Sequence, residues 1–120
     1  MVGVRGRQGW LEMKRGDLVT IALQGDYGKP RPALVVQSDF FSDLLSAIIL
    51  PVTSEIRETP LIRFTLEPSK QNGLTKKSQV MIDKVQAAPR EKLSKPFGKV
   101  ADSQLLEIES LLAVILGIAS

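Results

Sequence analysis

Short apolar runs with a period of two, each closed by glycine, proline or asparagine, fill most of this chain, and only its last segment keeps a helical period. Over residues 17–23, Val19, Ile21 and Leu23 alternate with Leu18, Thr20 and Ala22, which predicts a strand with one face buried more deeply than the other. Residues 33–37 predict a second strand, joined to the first as a hairpin through a loop that holds Gly25 and Gly28. One helical turn is expected between Phe40 and Ser46. A third strand follows over 47–53, where Pro51 argues for an edge or a bulge. Residues 60–66 read as a fourth strand, setting Ile62, Phe64 and Leu66 against Leu61, Arg63 and Thr65, and residues 79–83 as a fifth after the turn cluster "EPSKQNG". A short helix is expected over 90–95, and residues 98–100 are placed to close the sheet. Asp102 then reads as an N-cap, followed by Leu105, Ile108, Leu112 and Ile115 at steps of 3, 4 and 3, with Gly117 as the stop. The expectation is a mainly β fold: five or six short strands in a strongly bent antiparallel sheet or partly open barrel, with a C-terminal α-helix.

A chain of 120 residues with 43% apolar content supports one core. Residues 1–12, with three glycines and no periodicity, read as a loose N-terminal leader that includes Trp10, and residues 13–120 as the domain. With neither cysteine nor histidine, disulfides, thiolate nucleophiles and imidazole acid–base catalysis are excluded. No cluster of carboxylates has metal-loop spacing, so neither a metal nor a cofactor is expected. The longest apolar stretch, 111–119, is far short of the roughly 20 residues that span a bilayer, and no signal-peptide pattern opens the chain. A cytoplasmic protein with no membrane partner is the expectation.

The net charge of +3 is mild, but its distribution is uneven. Residues 70–99 carry eight basic side chains against two acids, whereas residues 101–120 carry three acids and no base. That pattern fits a polyanion-binding face, and it fits a solvated rim equally well. Arg31 is more specific, because it stands between Pro30 and Pro32. A proline fixes its own φ and biases the residue before it toward extended backbone, so the mount of this guanidinium has little freedom left to lose. A planar fork on a stiff mount suits a phosphate, although a surface arginine in a hairpin loop has the same local sequence.

The segment "RGDLVTIALQGDYGKPRPALVVQSDFF", with "ILPVTSEIRETPLIRFTLEP", "NGLTKKSQVMIDKVQ" and "LLAVILGIA" in order behind it, resembles the PemK/MazF toxins of bacterial toxin–antitoxin systems from about Met13 to Ala119. The resemblance implies an SH3-like barrel, a homodimer, and a sequence-specific, metal-independent endoribonuclease that cuts single-stranded RNA and is neutralised by an acidic antitoxin. It sets Arg31 on the family's catalytic arginine, Thr53 on its catalytic threonine, and Asp26 on an acidic loop residue of some members. In relatives of the PemK/Kid type an Arg and an Asp alternate on one strand as acid and base. Here that pair reads Met81 and Asp83, and Gln86 stands where many relatives have arginine. Period-two geometry would put Met81 and Asp83 on one face, where Asp83 serves either as a base or as a structural acid beside Lys84.

RNA carries its own nucleophile, the 2′-hydroxyl, so a site without histidine can still cut it by stabilising the phosphorane, leaving a 2′,3′-cyclic phosphate. Arg31 and Thr53 would hold phosphate oxygens, and Asp83 or Asp26 would take the proton. Tyr27 could stack on a base or simply fill its loop. Lys29, Lys76, Lys77 and Lys84 are candidates for backbone contacts. Two other readings compete: a non-catalytic RNA-binding or interaction barrel, and a gyrase poison of the CcdB type, whose action depends on a tryptophan near the C-terminus that this chain lacks.

Overall fold

Seven antiparallel strands curl around one helix in the computed structural model, which describes residues 13–22 and 29–119. They are β1 (Asp17–Ile21), β2 (Arg31–Val35), β3 (Ser46–Thr53), β4 (Arg63–Leu66), β5 (Ser78–Met81), β6 (Gln86–Pro89) and β7 (Gly98–Lys99), followed by α1 (Asp102–Ile115). The spatial order is β4-β5-β3-β2-β1-β7, and β6 lies along the first half of β3. The result is a strongly bent, partly open barrel with a C-terminal helix, as the alternating pattern predicts. Residues 1–12, with Trp10, lie outside the described residues, as do Leu23, Asp26 and Tyr27.

Register explains the two-sided burial. Leu18 pairs with Leu34 and Leu34 with Leu50, while Val80 stands between Val52 and Phe64. These side chains share the inner face, where fully buried Ile108 of α1 joins them, flanked by Leu105, Leu111 and Leu112. The other face carries Val19, Ile21, Ala33, Val35 and Ile49, closed over by Met13, Ala88 and Leu93. β1 is therefore buried on both faces, not mainly on one, because the sheet is clad on both sides.

Several boundaries differ from expectation for definite reasons. β2 begins at Arg31, since Arg31 pairs with Ile21 and Pro32 with Thr20. Pro51 is neither at an edge nor in a bulge. β3 pairs with β6 up to Ile49 and with β5 from Val52, so Pro51 falls at the handover, where neither of these partners is registered against its missing N–H. β4 is shorter than 60–66, because residues 59–62 form a turn in which Ile62 N and Arg63 N both donate to Thr59 O. β6 is a strand that the pattern does not announce, and the expected helix over 90–95 is a single 3-10 turn, Arg90–Lys92. The turn near Phe40 is likewise 3-10, Asp39–Phe41, opened by the Ser38 hydroxyl accepting from Phe40 N.

At α1 the N-cap is Ala101 rather than Asp102, and the Gln104 side chain reaches back to accept from Ala101 N. Asp102 occupies the first turn, where its charge suits the helix dipole. Leu111 replaces Ile115 in the buried stripe: Val114, Ile115 and Leu116 are exposed, so the last turn runs past the core. Gly117 ends the helix with φ +75°.

Candidate functional site

The site starts from pairing. Ala33 faces Pro51, so continuing the β2–β3 register by two residues brings Arg31 opposite Thr53. Thr53 pairs with Gln79, and Gln79 with Thr65. Residues directly opposite in an antiparallel sheet point to the same side, about 5 Å apart at Cβ. Arg31, Thr53, Gln79 and Thr65 therefore form one row across four strands, on the face turned away from α1.

The middle of this row is rigid. Gln79 is only 4% exposed, and its amide is fully used. Oε1 accepts from Arg57 N at 3.0 Å and Arg63 Nη1 at 3.2 Å, and Nε2 donates to Arg57 O at 3.0 Å and Thr65 Oγ1 at 3.1 Å. Thr53 Oγ1 accepts from Glu55 N at 3.1 Å, which leaves the hydroxyl proton available to donate outward.

A cleft of about 280 Å³ opens at the Arg31 end, lined by Thr53, Met81, Lys84 and Gln86 together with Arg31 itself. Arg31 and Thr53 also border a smaller cleft of about 160 Å³, which Lys76 lines. One guanidinium and one hydroxyl thus stand between two hollows, each with its own lysine. Such a place attracts an anion with several oxygens.

The sequence profile of the PemK-like, MazF-like toxins of type II toxin–antitoxin systems matches residues 14–116. This chain belongs to that family. It is 41% identical over 108 residues to a protein of Mycolicibacterium smegmatis named "Probable endoribonuclease MazF", a match that takes in 89% of this chain and 99% of the relative. An endoribonuclease solved in complex with its cognate antitoxin, from a mycobacterial species, superposes with a TM-score of 0.76 at 20% identity, over 90% of this chain and 98% of that one. The Mycobacterium tuberculosis toxin MazF-mt6 gives 0.74 at 20% identity, over 87% and 99%. The MazE–MazF structure from Deinococcus radiodurans gives 0.73 at 24% identity, over 89% and 97%. At such identities the superpositions speak for the fold.

In this PemK/MazF chain the positions singled out from sequence separate into groups. Arg31 and Thr53 come together, and Lys84 joins them in the larger cleft and Lys76 in the smaller. Asp83 does not continue β5. The strand ends at Met81, and Ile82–Lys84 form a 3-10 turn, so Met81 and Asp83 do not share a strand face. Met81 lines the larger cleft, whereas Asp83 is not among the lining residues and sits with Oδ2 3.9 Å from Lys84 Nζ. Lys29 is exposed on the approach to β2 and lines neither cleft. Lys77 lines a further cleft beyond Gln79 and lies 3.7 Å from Glu67. Gln79, Arg57 and Arg63 were not singled out from sequence. The available signal was Gln79 itself, an amide next to Val80 inside a predicted strand.

Proposed function

We propose that this toxin is a sequence-specific, metal-independent endoribonuclease that cuts single-stranded RNA by attack of the ribose 2′-hydroxyl on the adjacent phosphate. The observation that carries the reading is that Arg31 and Thr53 line one cleft together, with Lys84 on its wall. The name of the Mycolicibacterium smegmatis relative supports the same activity.

In this reading the scissile phosphate sits between Arg31 and Thr53. The guanidinium takes two non-bridging oxygens, and the Thr53 hydroxyl donates to a phosphate oxygen and holds the linkage in line for attack. As the P–O2′ bond forms and the P–O5′ bond breaks, negative charge builds on the phosphorane oxygens beside a cation whose backbone two prolines and a strand pairing already fix. Lys84 adds a second positive charge on the same wall. The 2′-hydroxyl gives up its proton as it attacks and the departing O5′ gains one, so the products carry a 2′,3′-cyclic phosphate and a 5′-hydroxyl. Asp83 acts on this site through Lys84, and Lys29 and Lys76 guide the approaching strand. Asp26 and Tyr27 belong to the β1–β2 connection next to Arg31 in sequence. Such a toxin works in the cytoplasm as a homodimer, and an acidic antitoxin neutralises it by covering the same cationic row, as the antitoxin complexes of its structural neighbours suggest.

The test is cleavage of a mixed single-stranded RNA pool with end-group analysis, wild type beside Arg31→Ala. Loss of one preorganised charge donor predicts a fall in kcat of about a hundredfold to a thousandfold. An Arg31→Ala protein that cuts at the wild-type rate overturns the reading, as do products without a cyclic phosphate.

A further inference from the structure

Sulfur chemistry in this chain rests on methionine alone, because the sequence holds three methionines and no cysteine. Met1 lies outside the described residues. Met13 is 3% exposed and packs in the core cluster with Val19, Ile21 and Ile49. Met81 is different: it is partly exposed at the end of β5 and lines the cleft of about 280 Å³ with Arg31, Thr53 and Lys84. Oxidation of a side chain follows its exposure, so of the two described methionines Met81 is the one that a dissolved peroxide reaches.

Register places this thioether beside the groups that would hold a phosphate. Thr53 pairs with Gln79, and Met81 stands two residues beyond Gln79 on the same side of β5. Residues so related are diagonal neighbours about 7–8 Å apart, a gap that a long side chain spans. Ile21, Pro51 and Val52 supply an apolar stretch of the same wall, which suits a thioether. It does not suit a sulfoxide, whose oxygen is polar and accepts hydrogen bonds.

We propose that Met81 is a redox-sensitive modification site, oxidised by hydrogen peroxide to the sulfoxide, and that the sulfoxide shuts the cleft to RNA. The sulfur lone pair attacks one peroxide oxygen, so an S–O bond forms as the O–O bond breaks. The departing hydroxide takes the proton left on the transferred oxygen and leaves as water. Sulfur loses two electrons and the peroxide gains them. The new oxygen is an acceptor in a cleft whose cationic donors are Arg31 and Lys84, and it competes with a phosphate for them. The loss of RNA rests on the reading of this cleft as the site of cleavage; the oxidation does not.

Peptide mapping of the peroxide-treated protein tests the site, since trypsin sets Met1, Met13 and Met81 on separate peptides. Met81 is expected to gain its oxygen well before Met13. Affinity for an uncleavable 2′-O-methyl octanucleotide, read for each protein against its own untreated sample, should fall about tenfold as Met81 is oxidised. It should return when the methionine sulfoxide reductases for both epimers are added, which reads the same atom without a substitution. Met81→Leu, a volume-conserving change, should keep its own untreated affinity under the same peroxide. The proposal is overturned if Met13 is oxidised as fast as Met81 or if Met81 sulfoxide leaves affinity unchanged. It is overturned as well if Met81→Leu loses affinity as wild type does. If untreated wild type cuts no RNA, the cleavage reading fails by itself, while mapping and affinity still decide what oxidation of Met81 does.

Discussion

Thr53 and Gln79 stand opposite each other in the β3–β5 ladder, so the hydroxyl that ends one strand and the buried amide that orders the next loop lie side by side on one face. Thr53 already accepts from Glu55 N, and the outward use left to its hydroxyl is donation. Thr53→Val keeps the shape and removes the donor. Cleavage should fall by on the order of a hundredfold, mainly in kcat, because alignment of the phosphate is what is lost. Thr53→Ser, which keeps the hydroxyl, should retain most of the rate. Single-turnover assays of the two variants separate a positioning role from a packing one, and equal losses in both would favour packing.

Lys84 and Asp83 are adjacent in one 3-10 turn, yet of the two only Lys84 lines the cleft of about 280 Å³ that Arg31 and Thr53 share. A hydrogen bond from a charged donor contributes about 1.5–3 kcal/mol, so Lys84→Ala should lower kcat/KM by roughly tenfold to a hundredfold. The Asp83 contact is a 3.9 Å ion pair near the surface, of a kind that contributes at most about 1 kcal/mol. Asp83→Asn should therefore lose less than about fivefold. The reverse ranking would make Asp83 the general base.

Much of the fold was legible because alternation of β-branched and aliphatic residues records burial directly. Val19 and Ile21 in β1 and Ile108 in α1 could be assigned to the core from spacing, whereas Leu18, on the other face of β1, is fully buried as well because the sheet is covered on both sides. What was not legible depended on partners distant in sequence. Gln86–Pro89 contains no β-branched residue, and it becomes β6 because the first half of β3 needs a partner and Ala88 is small enough to pack there. The end of β5 at Met81 follows from β4, which begins only at Arg63, so the β4–β5 ladder stops there and is followed by a single bond from Ile82 N to Ile62 O. For the site, the two prolines flagged Arg31, but its place beside Thr53 is a consequence of register. Gln79 escaped notice because its four hydrogen bonds involve a loop more than twenty residues away, at Arg57, as well as β4.

Gly98 pairs with Leu18 and lies against the turn that precedes β5. A Cβ built there would meet Asn72 O at 2.2 Å and Asn72 C at 2.3 Å, both backbone atoms that cannot swing aside. Asn72 is itself held, with Oδ1 accepting from Ser69 N and Leu74 N and Nδ2 donating to Glu67 O. Gly98→Ala must therefore push β7 off β1, and overpacking of this kind costs about 1–3 kcal/mol or more. Urea unfolding should show the loss, and a variant as stable as wild type would mean that β7 shifts freely.

Asp17 opens β1, where partial burial raises its carboxyl pKa above the ordinary value, against the opposing hydrogen bond from Lys14 N at 2.8 Å and the charge of Lys99. A carboxyl whose pKa is higher in the folded state prefers to be protonated there. Its contribution therefore favours folding fully below the unfolded-state pKa and is lost as pH rises through the folded-state value. Near neutral pH the charged Asp17 weighs against the native state. Asp17→Asn keeps an oxygen to accept from Lys14 N and removes the charge, so it should be more stable than wild type at about pH 7 and should lose that advantage as pH falls toward about 3. Chemical unfolding of both proteins across that interval measures the difference at each pH. A gap that widens in acid would mean that the Lys99 attraction, and not burial, governs this carboxylate.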